Sequence, residues 1–344
     1  MLCIGNPLVD VFIEVEKSLV ERYGILGPVQ HIERETAEKI LNEPSIDYTK
    51  AVKSSGGGAA NVAKIAAMLG MKSVFSGCVG KDELAEIFER EMAEAGVFSV
   101  LTKSNEKTGL CFACGVGGET RFAASPGASL DLTEADVGDE LIHSAEVVVV
   151  DGFILDRRPL VQHILMKASR RGIPVALDAA SVFQVKRKAE EILTYSRNFP
   201  LFVFMNADEA IAFFNTIRKS RDEEPNLAEK EKEAIILRDV CPMLKIITDG
   251  ELFPIIVVKL GGRGAIVVAG GNVYREETFA ITPRNTVGAG DAFCAAFLSA
   301  WIKDKSLSEC AALGNKVARA ILEVPGTHIK SGKLKSFDKI LQKG

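Results

Sequence analysis

No stretch of this 344-residue chain approaches the ~18 uninterrupted apolar residues of a membrane-spanning helix. The first residues, "MLCIGNPLVDVFIEV", lack a basic lead and a small-residue cleavage site, so they read as a strand rather than a secretory signal. Excess positive charge is also missing. Forty-two Lys and Arg stand against 46 Asp and Glu, for a net charge of -4, which argues against nucleic acid or an anionic membrane as partner. The seven cysteines are odd in number and set mostly in apolar strings, the pattern of a reducing cytoplasm. Cys111 and Cys114 form one C-x-x-C, but no second pair lies at zinc spacing, so they read as structural. No repeat period emerges.

Two phosphate-binding signatures are missing as well. A Walker A needs G-x-x-x-x-G-K-[ST]; "GCVGKD" shares only its Gly80-Lys81 pair. A dinucleotide fingerprint should follow the first strand, and "GNPLVD" stands there instead, which disfavours a dehydrogenase.

What is present reads as an α/β chain. Nearly continuous apolar strands, "AEVVVVDGF", "IPVALDA", "LFVFMN" and "FPIIVVKL", alternate with helical stretches near 158–171, 186–195 and 207–215. Such strands are covered on both faces, which points to a central, mostly parallel sheet between helical layers. The first strand is expected over 2–15. Helices are expected over 59–69, 82–95, 290–303 and 306–322. Residues 218–239 form a charge-rich break divided by Pro225. Residues 107–124 read as a hairpin turning at Gly117-Gly118. With 11–35 they would form a small β element that needs something to cover.

The chemistry gathers around "NTVGAGDAF". Gly288 and Gly290 leave the backbone open to close approach, and the N–H groups of the following helix can receive an anion. Asp291 is then a helix-terminal acid or, beside a bound phosphoryl group, a general base. Asn206 and Glu209 follow a strand, as a helix start or as ligands at a sheet edge. Asp10 ends an apolar strand, and a carboxylate there can accept two neighbouring hydroxyls.

With "GGGAANVAKIAAMLG" over 56–70 and "NTVGAGDAF" over 285–293 in this order, the chain resembles the PfkB (ribokinase-like) family of carbohydrate and nucleoside kinases. "FMNADEA" and "KLGGRGA" extend the match. The resemblance implies a ribokinase-like three-layer α/β/α fold, one kinase domain over 1–344, and a small β lid drawn from 11–35 and 107–124. It implies ATP and Mg²⁺ as cofactors, Asp291 as catalytic base, and Gly288, Ala289 and Gly290 as the anion hole. Asn206, Glu209, Lys259, Gly261 and Gly264 would border the nucleotide, with Glu209 meeting the metal through water. Asn6, Asp10, Gly57, Gly58 and Asn61 would line the acceptor site.

Within the family the chain looks most like the adenosine kinases, on "GNPLVD", "KTGLCFAC" and "DGFIL". That likeness puts Gln30 and Ile32 in a base pocket, Phe153 against the base with Phe183 on its other side, and Arg121 near phosphate. The implied reaction is transfer of the ATP γ-phosphoryl to a nucleoside 5′-hydroxyl, adenosine foremost. A sugar kinase, ribokinase- or fructokinase-like, is the alternative, and a non-catalytic nucleotide-binding regulator the alternative of another class. Relatives occur as monomers and as lid-mediated homodimers. Asn285 replaces the family's first aspartate, which leaves K⁺ activation in question.

Overall fold

The computed structural model describes residues 1–25, 29–117, 119–219, 227–250, 252, 254–281 and 288–323. Gly118, Pro225 and Asn285, singled out above, lie outside them. In chain order the strands are β1 (Leu2–Ile4), β2 (Leu8–Glu14), β3 (Val29–His31), β4 (Val52–Gly56), β5 (Val74–Val79), β6 (Phe98–Lys103), β7 (Gly109–Val116), β8 (Glu119–Ser125), β9 (Val148–Asp151), β10 (Val175–Asp178), β11 (Leu201–Asn206), β12 (Ile255–Lys259), β13 (Ala265–Ala269) and β14 (Asn272–Glu276).

Nine of them form the larger sheet, in the order β14-β13-β12-β11-β10-β9-β1-β5-β6. It is parallel from β12 to β6, and β13 and β14 add antiparallel at one edge. Alternate residues of each strand enter opposite cores. Val148, Val150, Leu177 and Val203 face the helices Arg158–Ser169, Val182–Asn198 and Ala207–Ile217. Val149, Ala176, Phe202 and Phe204 face Gly58–Met68, Ala289–Ile302 and Leu307–Leu322. The inner strands β1, β9, β10, β11 and β12 are covered on both faces and carry no polar alternation. The three-layer fold is the one expected.

The helix Ala289–Ile302 begins with Asp291 in its first turn, where the peptide dipoles favour negative charge. Phe297 meets the Phe204 ring edge-on at 5.4 Å, tying this helix to β11.

The smaller sheet has the order β3-β8-β7-β2-β4. The strand expected over 2–15 is in fact two. Gly5, Asn6 and Pro7 break it, so that β1 enters the large sheet and β2 the small one. The small sheet also takes in β4, outside the ranges expected for it. One face is packed by the helices Lys17–Arg22 and Arg34–Leu41 through Leu19, Val20, Ala37 and Ile40 against Val11, Phe112 and Ala123. Asp10, Cys111 and Ala124 share the other face. At the crossing back from β4, Gly57 has φ of 101°, and a Cβ there would stand 2.2 Å from the Asn6 carbonyl oxygen, so only glycine fits. Among the described residues no helix is long and apolar enough to cross a membrane.

Candidate active site

Asp151, Asp178, Asn206 and Lys259 end β9, β10, β11 and β12. Asp151 pairs in register with Asp178, and Asn206 with Lys259. The carboxyl edge of a parallel sheet is where an open α/β fold gathers ligands. Here it meets the N-terminus of Ala289–Ile302, entered through Gly288 in the left-handed conformation at φ 78°.

Asp291 Oδ2 accepts from Asn61 Nδ2 at 2.9 Å. A Cβ on Gly58 would lie 3.7 Å from Asp291 Oδ1 and from the Asp151 Cβ, which places Gly58 beside both acids. Burial, then the charge of Asp178, pushes the Asp291 carboxyl up to about 7, against the opposing pull of Asn61 and Lys259. Glu209 is likewise pushed up to about 7, by burial and by Asp178. Lys259 Nζ donates to Asp178 Oδ2 at 2.6 Å. Burial works against its ammonium, but Asp178 and Glu209 outweigh burial and keep Lys259 protonated.

A cavity of about 390 Å³ adjoins this point, walled by Lys259, Gly261, Gly264, Ala289, Gly290 and Asn315 among others. Backbone N–H groups, an ammonium and open glycine walls suit a polyphosphate.

The acceptor side lies toward the small sheet. Asp10 is buried, and burial pushes its carboxyl up to about 6 in spite of Lys64 and the Cys111 thiol. Asn6 Oδ1 accepts from Arg157 Nη2 at 2.5 Å, which leaves the amide nitrogen of Asn6 as its donor end. Asp151 accepts from the N–H groups of Asn6 at 3.4 Å and Phe153 at 3.1 Å, setting the short turn that presents Phe153. The Phe153 ring meets the His31 ring edge-on at 5.3 Å.

The model of the family described as "pfkB family carbohydrate kinase" matches residues 26–333. The chain belongs to this family. It is therefore an ATP-dependent phosphotransferase. An adenosine kinase of Schizophyllum commune is 25% identical over 354 residues, covering 96% of each chain. The solved adenosine kinase of Sinorhizobium meliloti superposes with a TM-score of 0.80 at 25% identity, over 98% of both chains. A probable sugar kinase of Rhizobium etli gives 0.81 at 23% identity, over 98% of this chain and 97% of its own, a likeness of fold.

Within this kinase the structure brings together Asp291, Gly288, Ala289, Gly290, Asn61, Gly58, Lys259, Gly261 and Gly264 at one end of the cleft. Asn6, Asp10, Gly57 and Phe153 stand toward the small sheet. Asn206 and Glu209 form a capping box: Asn206 Oδ1 accepts from the Glu209 N–H at 2.9 Å, and both Glu209 oxygens accept from Asn206.

Two expectations need correction. Gln30 pairs with Ala123, and Ile32 packs in the core on the helix-covered face of the small sheet. His31, one residue along, pairs with Ala124 on the Asp10 face and is the residue that meets Phe153. A strand's alternation decides this. Arg121 pairs with Cys114 on the helix-covered face and donates to the Ile25 carbonyl at 3.1 Å, away from the cleft. Phe183 is 61% exposed, with the Arg187 guanidinium 5.3 Å from its ring centre. Asp151, Asp178, Arg157 and His31 were not anticipated. The two aspartates carried a readable signal, an acid ending an apolar strand; Asp10, expected to end one, lies instead inside β2.

Proposed function

We propose that this kinase transfers the γ-phosphoryl of ATP to the 5′-hydroxyl of a nucleoside, with adenosine the first acceptor. The observation that carries the acceptor class is the Phe153–His31 ring pair, with His31 on the same face of the small sheet as Asp10. An aromatic wall holds a flat base, and a carboxylate with two acceptor oxygens holds a ribose diol. The adenosine kinases among its relatives support the same reading.

In this scheme Asp10 and the Asn6 amide orient the ribose. Asp291 Oδ1, free of the Asn61 bond, takes the hydroxyl proton. The N–H groups behind Gly288 hold the transferring phosphoryl, whose charge they meet without reorganisation. The cavity walled by Gly261 and Gly264 takes the nucleotide.

Among the described residues no group of three or more His, Cys, Asp or Glu is arranged to cage a metal. Mg²⁺ takes few protein ligands, one or two carboxylates besides phosphate and water, and Glu209, meeting it through water, is a carboxylate of that kind. When bound, Mg²⁺ neutralises charge on the polyphosphate. Asn285 bears on K⁺; turnover that is equal with and without K⁺ is the outcome its missing charge predicts, and a strong K⁺ requirement would contradict it.

A sugar acceptor is the second reading, supported by Asp10, whose carboxylate suits any vicinal diol. An ATP-consumption screen over adenosine, inosine, guanosine, cytidine, ribose, fructose and fructose 6-phosphate separates the two. Highest kcat/KM on a simple sugar would overturn the nucleoside assignment.

A further inference from the structure

Asp178 and Lys259 form a partly buried ion pair beside the phosphoryl site. A buried pair is no strong source of stability, since apolar residues of like size commonly do as well. Its position is more telling than its energy. Lys259 ends β12, and its side chain passes the end of β11 to reach Asp178 on β10, two strands away. The same Nζ lies 3.3 Å from where a Cβ of Gly290 would stand, within the first turn of the helix Ala289–Ile302. Lys259 also walls the 390 Å³ cavity together with Ala289 and Gly290. Asp178 is fixed from behind. Its Oδ1 accepts from the Ala180 N–H at 3.0 Å, and Ala180 takes a left-handed φ of 68°, a conformation costly for a residue with a side chain. Oδ2 is thereby aimed at Lys259. Lys259 feels the charges of Asp178, Glu209 and Asp291 on one side and lines the cavity on the other, so it is the cation between those acids and an entering triphosphate.

We propose that Lys259 is a catalytic residue whose ammonium contacts the phosphoryl group in transfer, and that Asp178 is the positioning residue that aims it. The acceptor oxygen bonds to the γ-phosphorus while the bond from that phosphorus to the β,γ-bridging oxygen breaks. ADP leaves with that electron pair, and the acceptor's proton goes to Asp291. Lys259 keeps its protons throughout and supplies only charge. Asp178 shares that charge in the resting enzyme and yields part of it to the triphosphate once that anion is bound. This rests on the kinase activity and not on which acceptor is used.

The test uses the full-length enzyme, ATP and the best acceptor from the screen above. Lys259→Met should lower kcat by about 10²- to 10³-fold, the usual loss of one preorganised charge donor. Lys259→Arg should keep part of the rate. Lys259→Met leaves the partly buried Asp178 without its cation, so its fold is at risk. The Asp178→Asn/Lys259→Met double variant removes both charges and should fold, judged by its circular dichroism and cooperative melting. Its kcat should stay as low as that of Lys259→Met. Recovery of the double variant to within about tenfold of the wild type would show that the pair is structural only and would overturn the proposal. Lys259→Ala supplies a second readout: added ethylammonium should restore turnover in a saturable way. A folded Lys259→Ala that shows no such rescue would count equally against a catalytic ammonium.

Discussion

Replacing Asp291 by Asn removes a charge and keeps a shape, so two effects can be separated. The first is kinetic. Loss of a positioned general base costs about 10²- to 10⁴-fold in kcat. The backbone donors behind Gly288 are untouched, so ATP affinity should hold. The second effect is on stability, and its sign is fixed by the direction of the shift. The Asp291 carboxyl rises from 3.8 to about 7 on folding. The folded state therefore binds its proton more tightly than the unfolded state does. Stability is full below the unfolded value, falls as pH rises between the two, and is level above about 7. At 1.36 kcal/mol per unit, the ionised carboxylate destabilises the fold by about 4 kcal/mol at pH 8. Asn carries no such penalty and can still accept from Asn61. The variant should thus be more stable than the wild type by about 4 kcal/mol near pH 8, and by only about 1 kcal/mol near pH 4.5. Denaturant unfolding of both proteins at the two pH values measures this, beside steady-state kinetics. In the wild type, kcat/KM should climb as pH rises through about 7, because only the ionised form accepts a proton. Turnover within tenfold of wild type in the variant would refute the base. A stability difference that does not grow with pH would refute the reasoning about burial.

Other perturbations test the acceptor side. A Cβ on Gly56 would stand 2.3 to 2.5 Å from the Asp10 carboxyl atoms, so Gly56→Ala should displace that carboxylate. The acceptor KM should rise about tenfold or more while the ATP KM stays within about twofold, each tenfold step being about 1.4 kcal/mol; equal changes in both constants would show a general folding defect instead. Phe153→Ala should lower kcat/KM for a nucleoside by about tenfold, the scale of one lost aromatic contact, and leave any turnover of ribose or fructose nearly unchanged. A parallel loss on both acceptor types would move Phe153 out of the base pocket.

How far the sequence reaches is shown by which residues it exposed. The large sheet was legible because its inner strands are covered on both faces, so they are uninterrupted apolar strings that hardly resemble anything else. The glycine-aspartate junction at 288–291 was legible because close backbone approach to an anion and a helix start leave marks on neighbouring residues. The small sheet was harder. Its five strands come from four separated parts of the chain, and β1 and β2 are divided only by Gly5, Asn6 and Pro7, too short an interruption to read as a change of sheet. The same limit misplaced Gln30. Along a strand, a shift of one residue exchanges the covered face for the cleft, and the apolar pattern around Val29 and Ile32 does not say which face the cleft takes. Pairing with β8 decides it, and β8 lies about ninety residues away in the chain. Asp178 and Lys259 show the converse. Each ends an apolar strand, a mark the sequence carries, although Asp178 was not singled out by it. Their partnership crosses a third strand, and it exists only once β11 has been laid between β10 and β12. Charge at the end of a buried strand can therefore be found by reading along the chain. What that charge is aimed at is set by the strand order, and the strand order is where the chemistry of this site is decided.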